Sequence, residues 1–329
     1  MVEKRKSMSK KVILIIVVMF IFTFGVVYMV SMDSAAKGDT ATNSPNRTAK
    51  IETATTTGNN IDKIVLGSGY YIKKYKTDGF ANKNPWNADV KIEKLPVYGN
   101  VFVNNTIENI ADADIEVDED GIVDVIFKKA VEVEGEEQKT DFSLDYFVNK
   151  YKESLGMKNA VQDITFTYLV SDEGKVERDN KYRIYERTGD IISQIVGYNF
   201  NYAIFYPMRG SNSLKNLNRV QYDLSGKLGD YPIISVDEAE QLLRAGQYDT
   251  ISNAEFPGAE YIAGRELVYH IDIYNKTSMP FYQFYVELPA DRFSLDEDTA
   301  NLTVYGIYYV CAIQSEYLQN LPKCEIHFN

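Results

Sequence analysis

The chain is poor in the residues that most often do chemistry: 329 residues hold two cysteines, two histidines and one tryptophan. With so few cysteines, and no CxxC or Cys/His cluster, a disulfide scaffold and a structural zinc site are both excluded. Cys311 and Cys324 stand near the C-terminus. In an oxidising compartment they would pair and tie the tail to the last strand; otherwise both are ordinary thiols. We favour thiols, because a chain of this length needs no staple to fold. His270 shares a strand face with Asp272, but no serine or cysteine nucleophile is marked out for it, and His327 stands two residues from the chain end. There is no G-x-S-x-G elbow, no glycine-rich phosphate loop and no H-E-x-x-H. The S-x-x-K at Ser7–Lys10 precedes a long apolar run, which rules out a penicillin-binding type of site there. No catalytic residue, no cofactor-binding residue and no metal ligand is therefore assigned, and no cofactor is expected.

What is present is acid and tyrosine. Asp and Glu number 47 against 35 Lys and Arg, a formal charge of -12. The first eleven residues are basic, so the remainder is more acidic still. Such a body repels phosphate backbones, and nucleic acid is excluded as a partner. Apolar residues make up 45% of the chain, enough to bury a core. The 25 tyrosines lean the fold toward strands.

Val12 to Met32, "VILIIVVMFIFTFGVVYMVSM", carries no charge and is long enough to cross a bilayer as a helix. Lys4, Arg5, Lys6, Lys10 and Lys11 would hold a short N-terminal tail, residues 1–11, in the cytoplasm. The expected location is thus the cell membrane, single-pass, with the C-terminal part outside. A cleaved signal peptide ending at Ser34–Ala36 is the competing explanation, but its apolar region would be unusually long. Residues 33–60 are rich in Thr, Ala, Asn and Ser and read as a flexible stalk.

The folded part is expected from Ile61, as two α+β extracytoplasmic units, 61–230 and 231–329, each a helix on an antiparallel sheet. In the first, "IEVDEDGIVDVIFKKAVEV" reads as a hairpin around DEDG. Residues 143–155 place Leu144, Phe147, Val148, Tyr151 and Leu155 at helical spacing, with Gly156 as the stop. Strand-like runs follow at "DITFTYLV", "KYRIYER", "IVGYNFNYAIFYP" and "LNRVQYDL", and "SGKLGDYP" is the candidate boundary. In the second unit, "ELVYHIDIY" alternates as a half-buried strand, and "TVYGIYYVCAI", apolar on both faces, reads as central.

Two acid-rich stretches invite a chemical explanation. Asp237, Glu238 and Glu240 open a helix at "YPIISVDEAEQLLRAG". Ser235 with Glu238 three residues on is a capping box, and acids in the first turn suit the helix dipole, so chemistry is not needed to explain them. Glu116, Asp118, Asp120 and Gly121 match the start of an EF-hand loop, but its twelfth position is Phe127, and a hairpin turn is favoured over calcium.

At "YPIISVDEAEQLLRAG", with the strands that come after it and the late "YGIYYVCAI", the sequence resembles the YycH/YycI-type extracytoplasmic regulators, membrane-anchored accessory proteins of a cell-wall-responsive sensor kinase in Gram-positive bacteria. It also resembles helix-plus-meander units of the PepSY type. The resemblance covers mostly residues 231–313. It implies a non-catalytic protein that binds a protein or envelope partner and regulates a two-component sensor kinase, and it carries no catalytic residues. The alternatives are a cell-envelope enzyme, such as a carboxylate-based glycan hydrolase, or a structural component of a surface complex. With an acidic body, partner contact is expected to use aromatic surface; of two Tyr-rich runs, "YNFNYAIFYP" (198–207) and "MPFYQFYVEL" (279–288), the second is favoured, with Tyr282 or Tyr285 as the expected partner site.

Overall fold

The structure is a computed structural model. It describes residues 64–65, 69–75, 91–105, 107, 110–118, 121–134, 142–170, 176–208, 211–294 and 302–326. The chain runs through β1 (Ile64–Val65), β2 (Ile72–Tyr75), β3 (Lys94–Gly99) and β4 (Phe102–Val103). Next comes a block of β5 (Ala113–Val117), β6 (Val123–Glu132), helix α1 (Leu144–Tyr151), β7 (Ala160–Val170), β8 (Val176–Glu186), helix α2 (Ile191–Phe200), β9 (Asn201–Pro207) and β10 (Ser213–Asp223). The last part is β11 (Lys227–Pro232), helix α3 (Val236–Arg244), β12 (Asp249–Thr250), β13 (Ile262–Asp272), β14 (Thr277–Glu287), β15 (Phe293–Ser294), β16 (Leu302–Cys311) and helix α4 (Ser315–Leu318).

Two seven-stranded antiparallel sheets carry the fold. The first has the order β5–β6–β10–β9–β8–β7, with β4 also on β10. The second has the order β11–β3–β14–β16–β12, with β13 on β14 and β2 on β16. Alternation dictates the first sheet: Val123, Val125 and Phe127 of β6 point to one face, where α1 covers them with Phe147, Val148 and Tyr151. The expected hairpin at DEDG forms, with Glu116 opposite Asp124. Helix α1 gives way to a turn before Leu155, and Gly156 takes a positive φ of 67°, where a side chain would be strained. In the second sheet β16 is central as expected, paired with β14 on one side and with β12 and β2 on the other. The capping box of α3 also forms, and Ala239 and Leu243 are its buried positions.

The expected α+β class of helix-on-sheet units behind an N-terminal transmembrane helix is corrected: the fold is mainly antiparallel β. Its α-helices are short, ten residues at most among those described. A stripe of two or three turns patches a sheet and does not form a layer, while the Tyr-, Val- and Ile-rich runs find their partners in one another. No helix among the described residues is long and apolar enough to cross a membrane. Ten residues span about 15 Å, against about 30 Å of hydrocarbon. The single N-terminal span, the membrane as a partner and the single-pass location outside a cytoplasmic N-terminus are withdrawn accordingly. Val12–Met32, on which they rested, lies outside the described residues, as do the stalk at 33–60 and the tail at 1–11.

Two local expectations also change. The run "IVGYNFNYAIFYP" is a strand only from Asn201; its first half belongs to α2, whose N-cap Asp190 accepts a hydrogen bond from the Ser193 amide. The expected boundary "SGKLGDYP" contains β11, which pairs along β3. Helix α2 is a link between the two sheets. It leads directly into β9 of the first, while its Ile195 and Phe200 join the core of the second, where Phe200 meets Tyr98 and Tyr269 edge-on at 5.6 and 4.9 Å.

Candidate functional site

A cleft of about 410 Å³ opens where the first sheet, helix α2 and the β3–β11 pair meet. Helix α2 supplies Ile192, Ser193, Val196, Gly197 and Phe200. From the second sheet come Pro96 and Tyr98 of β3, and Lys227 and Asp230 of β11. The remaining wall is the end of the first sheet, with Glu186, Asn201, Gln221 and Tyr222. The helix lies directly on the end of β8: a Cβ added at Gly197 would stand 2.0 Å from the Glu186 carbonyl oxygen, so only glycine fits. Asn201 caps the helix, its amide donating to the Gly197 carbonyl, and is itself the first residue of β9.

Behind that wall sits Arg219, fully buried. Its Nε donates to the Leu155 carbonyl at 2.9 Å, and one terminal nitrogen donates to the carbonyls of Tyr202 and Val220. The other terminal nitrogen donates to Asn201 Oδ1 at 2.5 Å and to Gln221 Oε1 at 3.1 Å. Every acceptor is neutral, and no described carboxylate lies within ion-pair distance of it. Burial pushes the guanidinium down to about 10, opposed by the nearby charge of Glu186.

The acids of the cleft are engaged. Glu186 accepts from the backbone amides of Lys158 at 2.9 Å and Asn159 at 3.1 Å, closing the turn ahead of β7. Asp230 pairs with Lys227 at 2.7 Å. The acid whose carboxyl is pushed up to about 6 is elsewhere: Asp124 on β6, through burial first and then the charges of Asp118 and Glu116.

The residues singled out by sequence fall into structural roles. Tyr282 and Tyr285 do not reach the surface as expected; they are 3% and 9% exposed. β14 is paired along both edges and covered on its faces, so aromatics on either face are core. The Tyr282 hydroxyl donates to the Ile234 carbonyl at 2.8 Å, and that of Tyr285 to Glu266 Oε2 at 3.1 Å. His270 places Nε2 2.9 Å from the Glu325 carbonyl oxygen. Asp272 is fully buried and accepts from the amides of Tyr274, Asn275 and Glu325. Asp118 accepts from the Ile122 amide at 2.8 Å and shapes the hairpin turn, while Asp120 lies outside the described residues. His327 lies outside them as well. Among the described residues no group of three or more His, Cys, Asp or Glu could hold a metal ion. Cys311 and Cys324 are free thiols.

Sequence reasoning misses Arg219, Asn201 and Gln221. One signal is there: in "LNRVQYD" the strand alternation puts Arg219 and Gln221 on the same face as Leu217, a polar pair where a core face is due. No family model matches the chain, and no curated protein matches it.

Proposed function

We propose that this is a non-catalytic protein that works by binding a partner, and that the cleft beside α2 is where it binds. One observation carries this: the two acids that line the cleft are spent on structural hydrogen bonds and an ion pair. A hydrolase of the two-carboxylate kind needs one carboxyl free to give a proton and one free to attack or to activate water. Neither Glu186 nor Asp230 is placed for that work. A binding cleft, by contrast, needs apolar walls and a few fixed polar groups, and this one has both. The resemblance of residues 231–313 makes a sensor kinase the partner class to try first.

The test is photo-crosslinking in cells from full-length protein with a reactive side chain at Thr188, on the cleft, and in a second strain at exposed Lys215, at the far end of β10. A discrete adduct from position 188 and none from position 215 is expected. Turnover of cell-wall glycan by the purified protein would overturn the proposal, provided it is lost in Glu186→Gln or Asp230→Asn variants that keep their melting temperature.

A further inference from the structure

We infer that the cleft takes a ligand with a carboxylate or carbonyl oxygen at one end and an apolar body behind it, and that the side-chain amides of Asn201 and Gln221 hold that oxygen. This rests on the binding function proposed above and specifies its chemistry.

Gln221 and Asn201 face each other in register across β10 and β9. Which end of an amide points where is ordinarily ambiguous. Here it is not, because both are met by the same terminal nitrogen of Arg219. A guanidinium has five donors and no acceptor, so it can meet only the oxygen end of each amide. The two NH₂ groups are thereby turned away from Arg219. Neither donates a hydrogen bond to any described residue, and neither is a buried unpaired atom, so both reach open space. Both residues line the cleft. The result is four N–H donors on one wall, with a guanidinium behind them that polarises both amides through the bonds it makes.

The charges say how selective the wall is. Lys227 and Asp230 cancel as a pair, and Arg219 and Glu186 cancel across the wall. With Arg219 counted behind it, the wall is neutral in sum, so it asks for an acceptor oxygen and does not require an anion. Beyond the amides the walls turn apolar with Ile192, Val196 and Leu224. About 410 Å³ falls near the small end of ligand pockets, which run from about 300 to 1,000 Å³. It suits one or two residues of an extended peptide or a metabolite of that size, and excludes a docked helix.

The probes are N-acetylphenylalanine, its neutral C-terminal amide, and phenethylamine, added to ¹⁵N-labelled full-length protein while the side-chain amide resonances of Asn201 and Gln221 are followed. The first two probes should shift both resonances. Phenethylamine ends in a donor and should shift neither. Gln221→Glu supplies the control that still folds: one carboxylate oxygen pairs with Arg219 and the other faces the cleft as an acceptor. That variant should bind both acceptor probes at least about tenfold more weakly, a loss of one hydrogen bond in a desolvated site, with an unchanged or higher melting temperature. Unchanged binding by Gln221→Glu, equal shifts with phenethylamine, or no shift with either acceptor probe would each overturn the assignment. If the probes fail while position 188 still crosslinks, the amide wall is wrong and the binding function stands. If position 188 also fails, the binding function falls with it.

Discussion

Ser235 and Glu238 each hold the other's backbone amide: Glu238 Oε2 accepts from Ser235 N at 2.8 Å, and Ser235 Oγ accepts from Glu238 N at 3.2 Å. The acids at the head of α3 are thus the device that starts the helix. Ser235→Ala should cost about 1 kcal/mol in urea denaturation. Glu238→Gln should cost less, since Gln serves in the same motif. The bonds from the Ser235 amide and hydroxyl hold the Glu238 carboxyl below its ordinary range. Its contribution is therefore complete above about pH 4.3 and is lost as pH falls further. A Glu238→Gln variant should lose this acid sensitivity, which urea titrations at pH 3 and pH 7 would show.

Asp124 carries the opposite sign. It stands across β6–β10 from Asn218, whose buried Oδ1 has no donor in the structure. With its carboxyl raised to about 6, first by burial and then by Asp118 and Glu116, the folded state holds a proton that the unfolded chain has already released. Stability should therefore fall as pH rises from about 4 to about 6. Asp124→Asn should remove that slope and raise the melting temperature at pH 7, with no gain at pH 4. Melting curves across pH 4–8 decide it; an equal gain at both ends would refute the assignment to Asp124.

Tyr282→Ser should lower stability by about 3 kcal/mol, because it empties core space and removes the donor to Ile234. Tyr285→Phe should cost about 1 kcal/mol, the loss of one hydrogen bond to Glu266. Chemical denaturation of both variants checks this. No change in stability from either would mean that β14 is not a core strand.

Burial raises both thiols, Cys311 to about 11 and Cys324 to about 12. Alkylation needs the thiolate, so at pH 8 iodoacetamide should modify the native protein far more slowly than the protein in urea. Mass spectrometry after timed quenching gives both rates. Fast native labelling of either cysteine would contradict the packing around it.

What is legible in the sequence is local. A cap with Glu three residues on, an alternating run, a DEDG turn and a run apolar on both faces each name their structure without outside help, and α3, β13, the β5–β6 hairpin and β16 are there. Helix α2 is different. "IISQIVGYNF" is rich in strand formers and apolar nearly all round, and it becomes a helix because Asp190 caps it and Gly197 lets it lie on the Glu186 carbonyl. That second condition is a contact across the fold, invisible in a linear pattern. The cleft is hidden for the same reason. Asn201 and Gln221 become neighbours only through the β9–β10 register, and the direction of their amides depends on a third residue, Arg219. The expected aromatic site fails because alternation says which faces of β14 are apolar, not how many of them are covered.

The neighbouring strands β3 and β11 have a consequence for how the chain folds. Between them in sequence lies the whole of the first sheet, yet Leu95 pairs with Tyr231. Closing so long a gap in a random chain costs entropy that rises with the logarithm of its length. The intervening block shortens it in advance: once β4 pairs with β10, Val103 stands opposite Tyr222 and the two ends of the block are already together. β3 and β11 then have only a few residues left to bring into register. The first sheet thus acts as a splint for the second, and pulse-labelling hydrogen exchange during refolding should find β6, β9 and β10 protected before β11.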